Sequence, residues 1–198
     1  MSAAPTVGVL ALQGAFREHV QLLRRLGADA REVRTPAELE ACDALVFPGG
    51  ESTTIGKLAE SSGLAAPLAR FQGPIFGTCA GMIVLSREAT DGLPGQPLLG
   101  RIDLTVRRNG YGRQVRSFEA PLRLEGDDRP FPGVFIRAPR IERVGEGVEV
   151  LAWHGAEPVA AAQGSIMVAA FHPELTGDGR LHEHFLARIG EADTRAVA

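Results

Sequence analysis

The sequence predicts an α/β protein: an open, mostly parallel sheet with helices on both faces and added antiparallel strands in its second half. Three observations carry this. Apolar runs at residues 6–12, 44–47 and 75–78 each give way to a segment of helical character, the alternation that builds a parallel sheet. Each run ends in a turn of small residues: Gln13-Gly14, Pro48-Gly49-Gly50, or the segment around Cys79. After Gly100 the texture changes to short strand-like runs divided by turn residues, the mark of antiparallel hairpins.

In the first run, Val7, Val9, Leu10 and Leu12 are interrupted only by small residues, as in a central parallel strand. Phe16, Val20, Leu23 and Leu26 then recur at helical spacing, and Gly27 closes that helix. A short strand at 30–33 and a segment opening on Thr35-Pro36 lead into the buried strand at 44–47. Beyond Gly50, the segment Glu51-Ser52-Thr53-Thr54 supplies hydroxyls to cap a helix reaching about Glu60, with Gly63 just past its end. The strand at 75–78 enters a helix carrying Met82, Ile83 and Leu85. A loop over 92–100 follows, then strands at 102–106, 118–124, 133–136, 148–153, 158–162 and 166–171, with turns at Gly126-Asp127-Asp128 and His154-Gly155. A final helix over 178–189 buries Leu181, Phe185, Leu186 and Ile189, and the tail from Glu191 is expected to fray. No internal repeat or low-complexity linker divides the chain, so residues 1–198 read as one domain with its core at about 7–189.

With 198 residues, 44% hydrophobic and 23% charged, the composition is that of a globular protein with room for a substantial core. A net charge of -3 gives no global basic field for nucleic acid or an anionic membrane surface. Trp153 and Tyr111 are too isolated to make a base-stacking platform. No apolar run approaches the roughly 18 residues of a membrane span, and residues 1–6 lack the charged and apolar regions of an export signal. The two cysteines are Cys42 and Cys79, and joining them would consume a thiol with a better use. A reducing, cytoplasmic setting is expected.

That use follows from Gly77-Thr78-Cys79-Ala80-Gly81, a glycine-flanked corner between strand and helix. Small flanking residues allow the strained turn that lifts a central side chain clear of the sheet edge. A thiol at the start of a helix lies at the positive end of its dipole, which favours the nucleophilic thiolate. Taken alone, Cys79 is equally a small core residue. The strand at 166–171 ends in His172-Pro173-Glu174, where residues two apart on an extended chain face the same side. A carboxylate fixes the tautomer and orientation of imidazole, which then serves as base and acid for a neighbouring thiol. Cys79, His172 and Glu174 form a candidate triad. For a developing oxyanion, Gly49-Gly50 and the N–H of Ala80 are the candidate donors.

With these residues in place, the chain resembles the triad-type, or class I, glutamine amidotransferases, which have a flavodoxin-like core. Four further motifs narrow the resemblance to the glutaminase subunits of pyridoxal 5'-phosphate synthase: residues 10–14 (LALQG), 48–53 (PGGEST), 108–114 (RNGYGRQ) and 135–139 (FIRAP). The similarity runs from about residue 7 to 189. It implies hydrolysis of L-glutamine, without cofactor or metal, and transfer of the ammonia to a separate synthase subunit in a hetero-oligomer. It also implies that Gly50, Glu51, Ser52, Arg108, Ile136 and Arg137 contact glutamine. Gln13-Gly14 matches a loop that completes the oxyanion hole when the subunits dock. Gly110-Tyr111 departs from a loop that is often Ser-Phe.

On composition alone, Arg108 and Arg137 fit a solvated basic face as well as a carboxylate clamp. His182-Glu183-His184 lacks metal-site spacing, because residues two apart on a helix do not share a face. His19 is expected at a surface or interface, His154 in a hairpin turn, and Cys42 in packing. Rival readings are the glutaminase of another cytosolic synthase, such as that of histidine biosynthesis, an elbow-cysteine peptidase or redox chaperone, and a non-catalytic binding subunit. The motifs at 108–114 and 135–139 oppose the first, His172-Pro173-Glu174 the second, and the intact triad the third.

Overall fold

The computed structural model describes residues 4–92, 95–111 and 117–196, with 191–196 as helix backbone. The first half alternates: β1 (Thr6–Leu10), α1 (Phe16–Arg25), β2 (Asp29–Val33), α2 (Pro36–Glu40), β3 (Ala44–Phe47), α3 (Ser52–Ser61), α4 (Ala65–Arg70), β4 (Ile75–Thr78) and α5 (Ala80–Leu85). Strands dominate the second half: β5 (Ser86–Ala89), β6 (Ile102–Arg107), β7 (Ser117–Leu124), β8 (Asp127–Ile136), β9 (Arg140–Val144), β10 (Glu149–His154), β11 (Glu157–Gln163) and β12 (Ile166–Ala169). A 3-10 turn (Pro173–Leu175) and α6 (Arg180–Ala196) complete it.

Nine strands form one sheet in the order β2-β1-β3-β4-β12-β11-β10-β7-β8, while β5, β6 and β9 form a second. From β2 to β12 all neighbours are parallel. From β12 to β8 all are antiparallel. β12 is thus the seam, and it lies beside β4 with Ala169 opposite Thr78. The chain leaves both strands at the same sheet end, which carries Cys79 and His172 to one place.

Side chains alternate across a strand, so β4 shows which helix covers which face. The Phe76 ring packs on His182 and Phe185 of α6, at 5.4 and 5.6 Å between centroids. A side chain at the next residue, Gly77, would instead meet Leu85 and Gly81 of α5. α5 and α6 therefore lie on opposite faces. Phe76, Leu45, Val46, Met167 and Val168 are fully buried in one hydrophobic cluster. Truncating a ring such as Phe76 to alanine would cost about 3–5 kcal/mol.

The structure departs from the sequence reading in several elements. The strand expected at 6–12 ends at Leu10, and the run expected at 166–171 ends as a strand at Ala169. Four short elements, α2, α4, β5 and β9, are additional to those expected. α2 carries a capping box, with Thr35 accepting from Glu38 N–H and Glu38 accepting in return from Thr35 N–H. β8 starts at Asp127 rather than Gly133. Pro130 and Pro132 obscured it, and they are tolerated because β8 is the sheet's edge strand. The helix expected to end at Ile189 continues to Ala196, with no further glycine or proline to stop it after Gly190. The α3 cap is the Glu51 carboxylate, accepting from the N–H groups of Thr53 and Thr54, and not a hydroxyl.

Candidate active site

Cys79 occupies the N-cap position of α5 with φ 49 and ψ -105, one of two non-glycine residues with positive φ among the described residues. That sharp corner presses α5 onto β3. A Cβ at Gly81 would overlap the carbonyl oxygen of Phe47, so the second glycine of the elbow is needed for close approach. The Cys79 N–H donates to Ala169 of β12 at 2.8 Å, which fastens the elbow to the seam. Across it, the His172 N–H donates to Val134 of β8 at 2.8 Å.

His172 and Glu174 do meet, but not on an extended strand. Pro173 begins the 3-10 turn, and this turn brings Glu174 Oε1 to 2.8 Å from His172 Nδ1. The Glu174 side chain is completely buried. Burial opposes charge on the His172 ring, yet its hydrogen bonds to Cys79 and Glu174, and their charges, outweigh burial and push its pKa up to about 10. Burial alone would raise the Glu174 pKa; the charges and hydrogen bonds of His19 and His172 instead hold it well below the usual carboxylate range. The geometry is a thiol, a positively biased imidazole and an ionised carboxylate in series.

A cavity of about 350 Å³ opens over Cys79 and His172. Gln13, Gly14, Gly50, Glu51, Ser52, Ala80, Arg108, Ile136 and Arg137 all line it, so every candidate site residue except the buried Glu174 reaches one space. Gly49, Ala15, Ile83 and Asn109 line it as well. The Gln13-Gly14 loop is clasped to the double-glycine segment: Gln13 Oε1 accepts from the Glu51 N–H at 3.0 Å. A Cβ at Gly14, which has φ 86, would overlap the Gly49 carbonyl oxygen. The Ala80 N–H heads a helix and has no intrahelical acceptor.

On the cavity wall, Arg108 Nη2 donates to Glu51 Oε1 at 3.1 Å, while its buried Nε has no partner among the described residues. Burial opposes the Glu51 charge, but the hydroxyls and N–H groups of Thr53 and Thr54 overcome it and hold the pKa down at about 2. Glu51 thus serves as helix cap and as brace for Arg108. Arg137, with φ 47, makes no ion pair among the described residues. The Ser52 hydroxyl is buried and donates to Gln96 Oε1 at 3.1 Å. Ile136 is 40% exposed, and its carbonyl oxygen lies 3.8 Å from Cys79 Sγ. Gly112, Arg113 and Gln114 of the 108–114 motif lie outside the described residues.

With this geometry in place, the comparisons decide the family. The sequence profile of the SNO glutamine amidotransferase family matches residues 9–191. The chain belongs to that family. Among its relatives, the pyridoxal 5'-phosphate synthase subunit PdxT of Parafrankia sp. (strain EAN1pec) is 56% identical over 188 residues, covering 93% of each chain. The protein of the same name from Deinococcus radiodurans is 56% identical over 192 residues, covering 94% of this chain and 98% of its own. A crystal structure of a glutamine amidotransferase, 53% identical, superposes with a TM-score of 0.86 over 93% of this chain and 98% of that one. The family fold matches the expected architecture, a mostly parallel sheet with an antiparallel extension.

Three sequence expectations for histidines and cysteines need revision or detail. His19 is not at a surface: it is fully buried, with Nδ1 2.8 Å from His182 Nε2 and Nε2 3.2 Å from both Thr78 Oγ1 and Glu174 Oε2. A signal was available, since His19 falls on the same helical stripe as Phe16 and Leu23, just as His182 shares one with Phe185 and Ile189. His154 ends β10 and packs its ring near Phe118 and Phe135. Cys42 is half-buried against the core and donates to the Glu38 carbonyl at 3.2 Å, and both cysteines are free.

Proposed function

We propose that this chain is the glutaminase subunit of a pyridoxal 5'-phosphate synthase, hydrolysing L-glutamine to glutamate and ammonia and delivering the ammonia to a separate synthase subunit. The observation that carries the reading is the Cys79, His172 and Glu174 series beneath the cavity, in a chain 56% identical to synthase subunits over nearly its whole length. The Cys79 sulfur attacks the side-chain amide carbon and the C–N bond breaks, with His172 giving its proton to the departing ammonia. Water, losing a proton to His172, then attacks the resulting thioester, releasing glutamate and restoring Cys79. The N–H groups of Gly50 and Ala80 are the donors for the oxyanion, and docking of the synthase subunit completes that site through the Gln13-Gly14 loop.

Arg108 and Arg137 hold the charged end of glutamine. Among the described residues Arg108 Nε has no partner and the Arg137 guanidinium makes no ion pair, which supports this, because a carboxylate accepts such donors in pairs. Gly50, Ser52 and Ile136 shape the wall, and Glu51 keeps Arg108 in place. The hydrophobic core is continuous and the family match spans 9–191, which supports a single amidotransferase domain that leaves ammonia capture to another chain. No helix among the described residues is long and apolar enough to cross a membrane. Free Cys42 and Cys79 fit a cytoplasmic enzyme. The test is to mix the chain with the synthase subunit and measure glutamine-dependent ammonia and pyridoxal 5'-phosphate. Stimulation by the partner is expected; its absence would overturn the assignment.

A further inference from the structure

Behind the triad lies a polar cluster sealed from solvent. Glu174 is fully buried and has two oxygens to satisfy. Oε1 accepts the His172 Nδ1–H. Oε2 has no directed hydrogen bond among the described residues, and His19 Nε2 lies 3.2 Å from it. The same His19 Nε2 is also 3.2 Å from Thr78 Oγ1, so it lies between the hydroxyl and the carboxylate. On its other side, His19 Nδ1 is 2.8 Å from His182 Nε2. Glu174 Oε2 and His182 Nδ1 are both buried without a hydrogen-bond partner among the described residues. Burial, with the neighbouring His19, drives the His182 pKa down to about 3, which keeps that ring neutral.

We infer that His19 is a positioning residue for the triad: its ring, with Nε2 3.2 Å from the second oxygen of Glu174, braces that carboxylate so that the first oxygen stays aimed at His172. The inference rests on the triad reading above. The physical reason is the cost of leaving a buried carboxylate oxygen with no polar group beside it. Without His19, Glu174 would rotate toward Thr78 or take up a proton. Either change slackens the His172 Nδ1 contact and lowers the tendency of His172 to hold a proton beside Cys79. His19 does not line the cavity, so substrate binding has no direct stake in it. α1 packs on the 3-10 turn that carries Glu174, and the loop just before α1 is Gln13-Gly14, so one helix links the cavity rim to the back of the triad.

The test compares two polar substitutions of different reach in the full-length chain. His19→Gln carries an amide N–H to about the place of Nε2, whereas His19→Asn stops at about that of Nδ1. Two readouts are taken: glutamine turnover with the synthase subunit, and the pH profile of Cys79 alkylation by iodoacetamide, mapped by mass spectrometry. Alkylation needs no glutamine, so it stands even if the glutaminase reading fails. The groups facing the Cys79 and His172 pair are Glu174 with His19 behind it, and Glu51, Arg108 and Arg137 around the cavity; neither variant alters any but His19. The expected result is a loss of about 10- to 100-fold in kcat for His19→Asn, the scale on which outer orienting partners act. KM stays unchanged, and the alkylation inflection moves to higher pH. His19→Gln recovers most of both. If Gln performs no better than Asn, whether both resemble the wild type or both are impaired, the inference is overturned.

Discussion

The triad has two sides of opposite character. The cavity side is open and lined by groups with spare bonding capacity: the Ala80 N–H, the Arg108 Nε and the Arg137 guanidinium. The far side is closed, with His19, Thr78 and His182 fully buried and bonded mainly to one another. The contrast teaches how labour is divided. One side turns donors toward a cavity that a substrate can enter; the other is packed away from solvent so that Glu174 and His172 keep their geometry. The seam strand β12 separates them, passing its chain from the parallel core to the turn that carries Glu174.

The two sides respond differently to substitution. On the open side the largest effect belongs to Cys79→Ala, which should lower glutamine-driven turnover by roughly a million-fold, toward background. Complex formation and synthesis from free ammonia should persist, as judged by native mass spectrometry and product absorbance. Next comes Gly14→Ala. Its Cβ would collide with the Gly49 carbonyl and force two cavity loops apart. Steady-state kinetics should show a fall of about 100-fold in kcat/KM, the scale of one lost oxyanion donor. Arg137→Ala removes a charged hydrogen-bond donor from the substrate and should raise KM by about 10- to 100-fold, corresponding to roughly 1.5–3 kcal/mol, with kcat nearly unchanged.

The closed side should show itself mainly in pH dependence. The folded pKa of His182, about 3, lies below its ordinary 6.5. The unfolded chain therefore binds the extra proton first, so the associated stability is complete above 6.5 and is lost as pH falls toward 3, by up to about 1.4 kcal/mol per pH unit. His182→Phe removes that titration and should flatten this part of the stability curve. Urea midpoints measured across the acid range would reveal it. An unchanged slope would place the buried titration elsewhere.

How much of this was legible in the sequence follows the same division. The open side was readable because its residues announce their chemistry locally: a glycine-flanked cysteine, a double glycine after a buried strand, and a His-Pro-Glu run at a strand end. Their convergence followed from strand ends sharing one edge of a parallel sheet. The closed side was harder, because its contacts join distant segments. His19 and His182 are 163 residues apart. Each looks like an ordinary polar helix residue unless its place on the apolar stripe is noticed. The geometry of His172-Pro173-Glu174 was anticipated in outcome but not in cause: proline initiates a tight 3-10 turn here and does not extend the strand. In the fold, β8 was shortened by its prolines, because local propensity cannot reveal that a strand will lie at an edge. α2 and α4, of five and six residues, are too short for an apolar periodicity to mark them in the sequence.

The central claim is that Cys79 forms a covalent bond to the γ-carbonyl of glutamine. It is tested most directly by acid-quenching the synthase complex during glutamine turnover and mapping the modified peptide by mass spectrometry. A glutamyl thioester is expected only on the peptide containing Cys79, and none in Cys79→Ala. Ammonia release with no adduct on that peptide, or with an adduct on Cys42, would contradict it.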